Sequence, residues 1–345
     1  MKIAIVTDAW RPQTNGVVRT LATTVEFAQD AGHEVLVIEP GMFRTFPCPT
    51  YPEIRLAWLP YRSLAARLYN FSPDAVHVAT EGPLGVAARR WCLRQGMPFT
   101  TSYHTQFPEY LRARAPVPLS LSYAHLRRFH GTAVRTMVAT PALQRQLEVR
   151  GFRNVVRWSR GVDVDVFRPR GKERLSLPRP VSLYCGRVAV EKNIEAFLKL
   201  ALPGTKVVVG DGPARATLAE RYPDVVFTGY KFGEELAEYV SAADVFVFPS
   251  RTDTFGLVLL EAMACAVPVA AYPVTGPIDV VEDGVSGVLR EDLREAVLAA
   301  LDLDPAACRQ QALQFTWEAA TRQFLANLAV QQPVTTDGGA LVNSV

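Results

Sequence analysis

Cysteine is sparse in this 345-residue chain: the five present (Cys48, Cys92, Cys185, Cys265, Cys308) are odd in number and far apart. None forms a Cys-x-x-Cys unit, which argues against a disulfide framework or a zinc knuckle and fits a reducing cytoplasm. Long hydrophobic runs are missing as well. The best candidate, Ala262 to Val274, is short and broken by Pro268 and Pro273, below the roughly 18–20 apolar residues that a spanning helix needs. The chain opens on a strand pattern, Lys2-Ile3-Ala4-Ile5-Val6, without the basic, apolar and small-residue layout of a secretory signal. There is no G-x-G-x-x-G after that strand, which removes the main support for dinucleotide hydride chemistry. Zinc-finger spacing, an aromatic RNP-like motif and a dense basic run are also lacking, so nucleic acid is not an expected partner.

What is present reads as a soluble globular protein, with 49% hydrophobic and 21% charged residues. The length exceeds that of one ordinary hydrophobic core, so two domains are the default. Charge divides unevenly between them. Residues 1–165 carry 20 Lys/Arg against 12 Asp/Glu, a net of +8 that is almost entirely arginine; residues 166–345 carry 17 against 22, a net of −5. The basic half is either a solvated arginine-rich surface or one that meets something anionic, such as a membrane.

Short β-branched runs alternate with helical stretches, which predicts parallel sheets covered by helices. In the first half strands are expected near Lys2–Thr7, Glu34–Ile38, Ala75–Val78, Phe99–Ser102, Thr136–Ala139 and Val155–Trp158. A second series is expected at Val181–Tyr184, Lys206–Val209, Val225–Thr228, Val245–Phe248 and Val267–Ala270. Between the series, Phe167-Arg168-Pro169-Arg170-Gly171-Lys172 has the proline, glycine and charge of an interdomain linker. Ligands of open parallel sheets bind beyond the carboxyl ends of the strands, and the motifs fall on those loops.

After the first strand, Asn15-Gly16-Val17 ends a loop and starts a helix; a glycine there permits close backbone approach, and free amides favour an anion. His104 follows a strand end within polar surroundings, whereas His33, His77, His125 and His130 read as structural. Cys185-Gly186-Arg187 through Lys192-Asn193 places two cations five residues apart on a strand-to-helix loop. Arginine by bidentate hydrogen bonds and lysine as a mobile point charge could neutralise a diphosphate. Gly210-Asp211-Gly212-Pro213 makes another tight turn at a helix start. In the stretch from Pro249 to Met263, a loop with Asp253 and Gly256 opens a helix bearing Glu261 among leucines. The amides of Phe255, Gly256 and Leu257 would leave that helix N-terminus free for phosphate and sugar oxygens. The carboxylates of Asp253 and Glu261 offer hydroxyl acceptors, and a glutamate on so apolar a helix is costly unless paired.

Together these pieces resemble the family 4 retaining glycosyltransferases, which include bacterial mannosyltransferases and glycolipid synthases. The likeness rests on Asn15-Gly16-Val17, His104, Gly186-Arg187 with Lys192-Asn193, Gly210-Asp211-Gly212-Pro213 and the acid-x7-acid stretch from Asp253 to Glu261, and it spans roughly residues 1–330. It implies an α/β fold of the GT-B type, two Rossmann-like doubly wound domains facing a central cleft. The divisions it implies are an acceptor-binding domain over 1–168, a nucleotide-sugar domain over 169–315, a helix crossing back over 316–330 and a frayed tail over 331–345. On the same grounds, His104, Arg187, Lys192 and Asp253 are the expected catalytic set. Gly16, Gly186, Gly210, Asp211, Gly212, Phe255, Gly256, Leu257 and Glu261 are the expected donor site.

By that likeness Gly16 faces the diphosphate, His104 contacts the transferred sugar near its primary hydroxyl and Asp253 binds a sugar hydroxyl. Arg187 and Lys192 hold the leaving group, and Glu261 holds the ribose. Asp253 stands where the family pattern most often has the longer glutamate, and Cys265-Ala266 where a small residue and glycine are common. The two literal Asp-x-Asp strings, Asp163-Val164-Asp165 and Asp302-Leu303-Asp304, are not expected to hold metal. No cofactor is expected, the donor being a co-substrate and the Arg187/Lys192 pair standing in for a metal's charge.

The expected reaction moves a hexose from UDP-glucose, UDP-glucuronate or GDP-mannose to an acceptor hydroxyl. Arginines interleave with aromatics and leucines at Arg62, Arg67 and Tyr69 and again at Arg112, Arg114, Arg127 and Arg128, a composition suited to an anionic membrane interface. A lipid acceptor such as diacylglycerol or phosphatidylinositol is therefore favoured, with the protein peripheral on the inner face of the cell membrane. A soluble or polysaccharide acceptor, a GT-B nucleotide-sugar epimerase and a noncatalytic binding module are the alternatives.

Overall fold

The computed structural model describes residues 1–48, 51–114 and 117–331, apart from the side chains of residues 51–53, 113 and 114. The first half forms β1 (Lys2–Val6), β2 (Glu34–Ile38), β3 (Thr45–Cys48), β4 (Tyr51–Ala57), β5 (Ala75–Val78), β6 (Phe99–Ser102), β7 (Arg135–Val138) and β8 (Val155–Arg157). Six of these make a parallel sheet in the order β2-β1-β5-β6-β7-β8, while β3 and β4 form a separate antiparallel hairpin. The second half forms β9 (Val181–Cys185), β10 (Thr205–Val209), β11 (Val226–Gly229), β12 (Val245–Phe248), β13 (Val269–Ala271) and β14 (Gly287–Leu289), parallel in the order β11-β10-β9-β12-β13-β14.

The sequence of β1, four apolar residues after Lys2, is buried along its length from Ile3 to Val6, as expected of a strand covered on both faces. Ile3 pairs with Val35 on one side and Ala75 on the other. In both sheets the chain first winds outward and then returns to the other side of its first strand, so the winding reverses between β1 and β5 and between β9 and β12. Crevices form at such reversals. The hairpin β3–β4, interrupted by Pro47, and the three-residue β14 were not foreseen from the sequence, and β13 starts two residues later than expected.

The expected linker is fastened down. Phe167 and Leu175 are buried in the second core with Val181, Leu183 and Phe246, and the amide of Arg170 donates to Ser241 Oγ at 2.6 Å. The helix Trp317–Asn327 crosses to the first sheet, burying Phe324 against Ile3, Ile5, Leu21 and Trp158. There the Asn327 side chain donates to the Arg157 carbonyl at 2.8 Å, and Gln323 accepts from the Ser159 amide at 2.9 Å. A Cβ on Gly161 would lie 2.4 Å from the Trp317 nitrogen, so the crossing point has room only for glycine. Residues 332–345, most of the expected tail, lie outside the described residues.

Candidate active site

The loops that follow β1, β6, β9 and β12 converge between the two sheets. The first-domain helix Gly16–Asp30 begins with Asn15, whose Oδ1 accepts from the amides of Val17 and Val18 at 3.0 Å each, the usual Asn N-cap. Gly16 faces the second domain, and a Cβ there would stand 3.7 Å from Leu257 Cδ1. One turn on, Arg19 reaches across and pairs with Glu261 Oε1.

Glu261 is 2% exposed, on the helix Leu257–Ala264. Burial raises its pKa and the Arg19 guanidinium works against that rise. Its other oxygen, Oε2, is buried without a hydrogen-bond partner among the described residues. The helix starts at Gly256, with φ of 84° and no side chain capping it. A side chain at that φ is strained, and a Cβ would lie 2.9 Å from Leu259 Cδ1. Phe255 turns inward onto Phe315, so what it can offer a ligand is backbone.

Lys192 Nζ donates to Asp253 Oδ1 at 2.7 Å. Burial opposes the charge on Lys192, yet Asp253, Tyr110 and Glu191 together hold its pKa above the ordinary lysine value. Asp253 Oδ2 is buried and has no hydrogen-bond partner among the described residues. Tyr110, from the helix Phe107–Arg114 of the first domain, hydrogen-bonds Thr252 beside this pair, and burial raises its pKa. The Thr254 hydroxyl donates to the His104 carbonyl at 2.7 Å, and Gln106 Nε2 donates to the Asp253 carbonyl at 3.4 Å. His104 Nδ1 lies 3.2 Å from Arg160 Nη2, while Nε2 is buried with no partner among the described residues. Burial, then Arg160, His77 and His130, hold its pKa well below the ordinary histidine value.

The remaining expected residues fall in two groups. Arg187 follows β9 and its carbonyl accepts from the Tyr184 hydroxyl at 2.9 Å. Gly186, Gly210 and Gly212 fit two loops together: a Cβ at Gly210 would come within 1.9 Å of the Gly186 carbonyl oxygen, and one at Gly212 within 2.4 Å of that of Val188. Asp211 is engaged by the Gly212 amide at 2.7 Å and by Arg215 at 3.1 Å. These glycines shape the loop that carries Arg187, a role that composition alone does not distinguish from ligand contact.

Arg62, Arg67 and Tyr69 are exposed on the helix Tyr61–Phe71, which buries Leu64 and Leu68. Arg112 and Arg128 are exposed too, whereas Arg127 Nη1 donates to the Arg150 carbonyl at 3.0 Å. The Arg114 side chain lies outside the described residues. His77 bridges Thr100 Oγ1 at 2.9 Å and Ser102 Oγ at 2.7 Å, and is structural. The Asp-x-Asp strings end in local caps. Asp163 accepts from the Asp165 and Val166 amides, and Asp304 accepts from Ala306 at the start of the helix Pro305–Ala312. Among the described residues no group of three His, Cys, Asp or Glu side chains is gathered as if for a metal ion.

Arg19, Gln106, Tyr110, Arg160 and Thr254 were missed from the sequence. Arg19, three residues after Gly16 on the same helical face, and Gln106, Thr254 and Arg160, each within a motif-bearing stretch of the sequence, had local signals; Tyr110 is brought in by the tertiary fold.

A model described as Glycosyltransferase Family 4 matches residues 14–166, and one described as Glycosyl transferases group 1 matches residues 179–303. A GDP-mannose-dependent alpha-mannosyltransferase of Mycobacterium tuberculosis is 33% identical over 316 residues, 84% of this chain and 83% of the relative. A second protein of that species, a GDP-mannose-dependent alpha-(1-6)-phosphatidylinositol dimannoside mannosyltransferase, is 28% identical over 98% of both chains. The crystal structure of Anabaena HepE in complex with UDP-glucose superposes with a TM-score of 0.72 at 16% identity, over 94% of this chain and 98% of that one, which shows a shared fold.

Proposed function

The chain belongs to the group 1, family 4 glycosyltransferases and is an enzyme of that class, and on this premise we propose that it transfers mannose from GDP-mannose to a membrane-lipid hydroxyl, with retention and without a metal ion. The observation that carries the proposal is the set of unsatisfied polar atoms around the cleft: His104 Nε2, Asp253 Oδ2 and Glu261 Oε2. A buried polar atom without a partner is costly, and a sugar nucleotide supplies partners for all three.

Lys192 is held by Asp253. A diphosphate would replace Asp253 Oδ1 on the ammonium and release that carboxylate toward a sugar hydroxyl. Glu261 would accept from the ribose, and the open start of the Leu257–Ala264 helix would face the phosphates. Lys192 and Arg187 would then stabilise the charge that develops on the departing diphosphate, the largest contribution such a site can make. With Asp253 and Glu261 both assigned to hydroxyls, the proposed course is attack from the face that the diphosphate leaves.

GDP-mannose is favoured over UDP-glucose and UDP-glucuronate by the donor that the 33%-identical relative's name specifies. The lipid acceptor draws on the phosphatidylinositol-based name of the second relative and on the exposed Trp58, Leu59 and Tyr69 near the exposed Arg62 and Arg67. Among the described residues no helix is long and apolar enough to cross a membrane, so contact with lipid would be peripheral.

The test is incubation of the full chain with each labelled donor, with and without a lipid extract and with chelator present. An α-mannosyl lipid formed from GDP-mannose in chelator is expected. Transfer only to soluble glycans, inversion of configuration or strict dependence on a divalent cation would overturn the corresponding part. Conversion of the donor with no acceptor present would favour an epimerase.

A further inference from the structure

Resting on the reading that His104 meets the transferred sugar, we propose that Arg160 is a positioning residue that fixes the tautomer of His104, holding its proton on Nε2 so that the ring donates a hydrogen bond into the cleft. Arg160 stands in the segment after β8, Trp158-Ser159-Arg160-Gly161-Val162-Asp163, which resembles the family's segment before the linker but whose likeness gives the arginine no role. It is 4% exposed. Its guanidinium donates to the carbonyls of Trp158 at 2.5 Å and Ser159 at 2.9 Å through Nη1. Nη2 points to His104 Nδ1 at 3.2 Å.

A guanidinium has donors and no acceptor. The contact to Nδ1 is therefore possible only if Nδ1 presents its lone pair, and in a neutral ring the proton must then sit on Nε2. That nitrogen is the one left buried and unbonded. The indole of Trp158 fixes both partners, with the Arg160 guanidinium 4.4 Å from its ring centre and the His104 ring 5.7 Å away at 68°.

The position is also costly in a way that a purely structural residue does not require. Among the described residues no carboxylate pairs with Arg160, and burial pulls its pKa down to about 9. At neutral pH it remains charged and a donor. Its charge disfavours a second proton on His104, as do His77 and His130, so the ring stays neutral with one defined donor. The arrangement makes His104 a hydrogen-bond donor to a sugar oxygen and leaves no lone pair on it to take the acceptor's proton.

The test uses full-length protein with 15N-labelled histidine, the His104 signal being assigned by its loss in His104→Gln. Long-range 1H–15N correlation at neutral pH is expected to show a single neutral form protonated at Nε2 in the wild type. Arg160→Lys, still a donor without acceptor capacity, should keep that form and most of kcat. Arg160→Met should give mixed tautomers and a kcat about tenfold lower or more, the scale of losing a charge-assisted hydrogen bond, with donor KM little changed.

A wild-type ring protonated at Nδ1 would overturn the proposal, as would an Arg160→Met protein that keeps the Nε2–H form and normal kcat. If Arg160→Met does not fold, the wild-type and Arg160→Lys spectra decide alone. The tautomer is read without substrate, so an Nε2–H ring in a protein that transfers no sugar would refute the role in transfer while leaving the Arg160 contact standing.

Discussion

The two domains share an architecture, six parallel strands that reverse their winding beside the first strand, but they equip their carboxyl-end loops differently. The second domain offers charge: Lys192, Asp253, Glu261 and Arg187, on loops and within the helix Leu257–Ala264. The first offers mainly groups whose positions are set by a packed network around the buried Arg160, His104 above all, together with reaching side chains such as Arg19 and Tyr110. The difference assigns tasks. On the proposed function, one half would hold the donor's charge and the other would set geometry at the sugar.

The largest expected effect falls on the charged side. Lys192→Ala should lower kcat/KM by about 10²–10³-fold, by analogy with the ~2.7–4 kcal/mol lost with one oxyanion donor, while thermal unfolding shows a folded protein. Near-normal turnover would break the division of labour. Gly210→Ala should act on the frame. At φ of 141° and with its Cβ 1.9 Å from the Gly186 oxygen, the alanine should destabilise by about 1–3 kcal/mol or more, read as a lower Tm together with weakened donor binding. An unchanged Tm would mean that the loop is not packed as described.

On the first domain's side the signature is a pH dependence. Burial holds the pKa of His77 down at about 3, with Arg160 adding to the shift. The unfolded chain therefore binds the extra proton first as pH falls below about 6.5. Stability is full above that value and declines on acidification toward the folded pKa, by about 1.4 kcal/mol per pH unit for this one group. Denaturant titrations at pH 6.5, 5.5 and 5.0 should show the decline, and His77→Gln should flatten it. An unchanged slope in that variant would assign the titration elsewhere.

The smallest effect belongs to the bridge between the halves. Arg19 is partly exposed, with 42% of its side chain accessible, so solvent screens its end of the pair and its share in donor binding is about 0.2–1 kcal/mol. The buried Glu261 that its removal leaves unpaired should also lower Tm. Arg19→Ala should raise donor KM by no more than about fivefold with kcat retained. A large fall in kcat would move Arg19 into the reacting centre.

How much of this was legible depends on the range of the determinants. The acid-x7-acid run, the Arg187/Lys192 pair and His104 could be read because each lies within one strand–loop–helix unit whose pattern is local. The alternation of β-branched runs with helical stretches revealed both parallel sheets for the same reason. The role of Arg160 could not be read, because it comes from a ring 56 positions away, nor could that of Tyr110, which acts on a loop of the other domain. The Gly210-Asp211-Gly212 turn was visible as a turn. Whether its glycines face a ligand or another loop depends on which backbone packs above it, and here that backbone is the Gly186–Val188 loop. The β3–β4 hairpin escaped because its prolines weaken a strand reading.

The central claim is that the unsatisfied groups of the cleft await a nucleotide sugar held by Lys192 and Glu261. Calorimetric titration of the full chain with GDP-mannose, for the wild type, Lys192→Ala and Glu261→Ala, tests it most directly. The account predicts saturable binding to the wild type and clearly weaker binding to both variants. Equal affinity in all three, or no binding by a folded wild type, would contradict it.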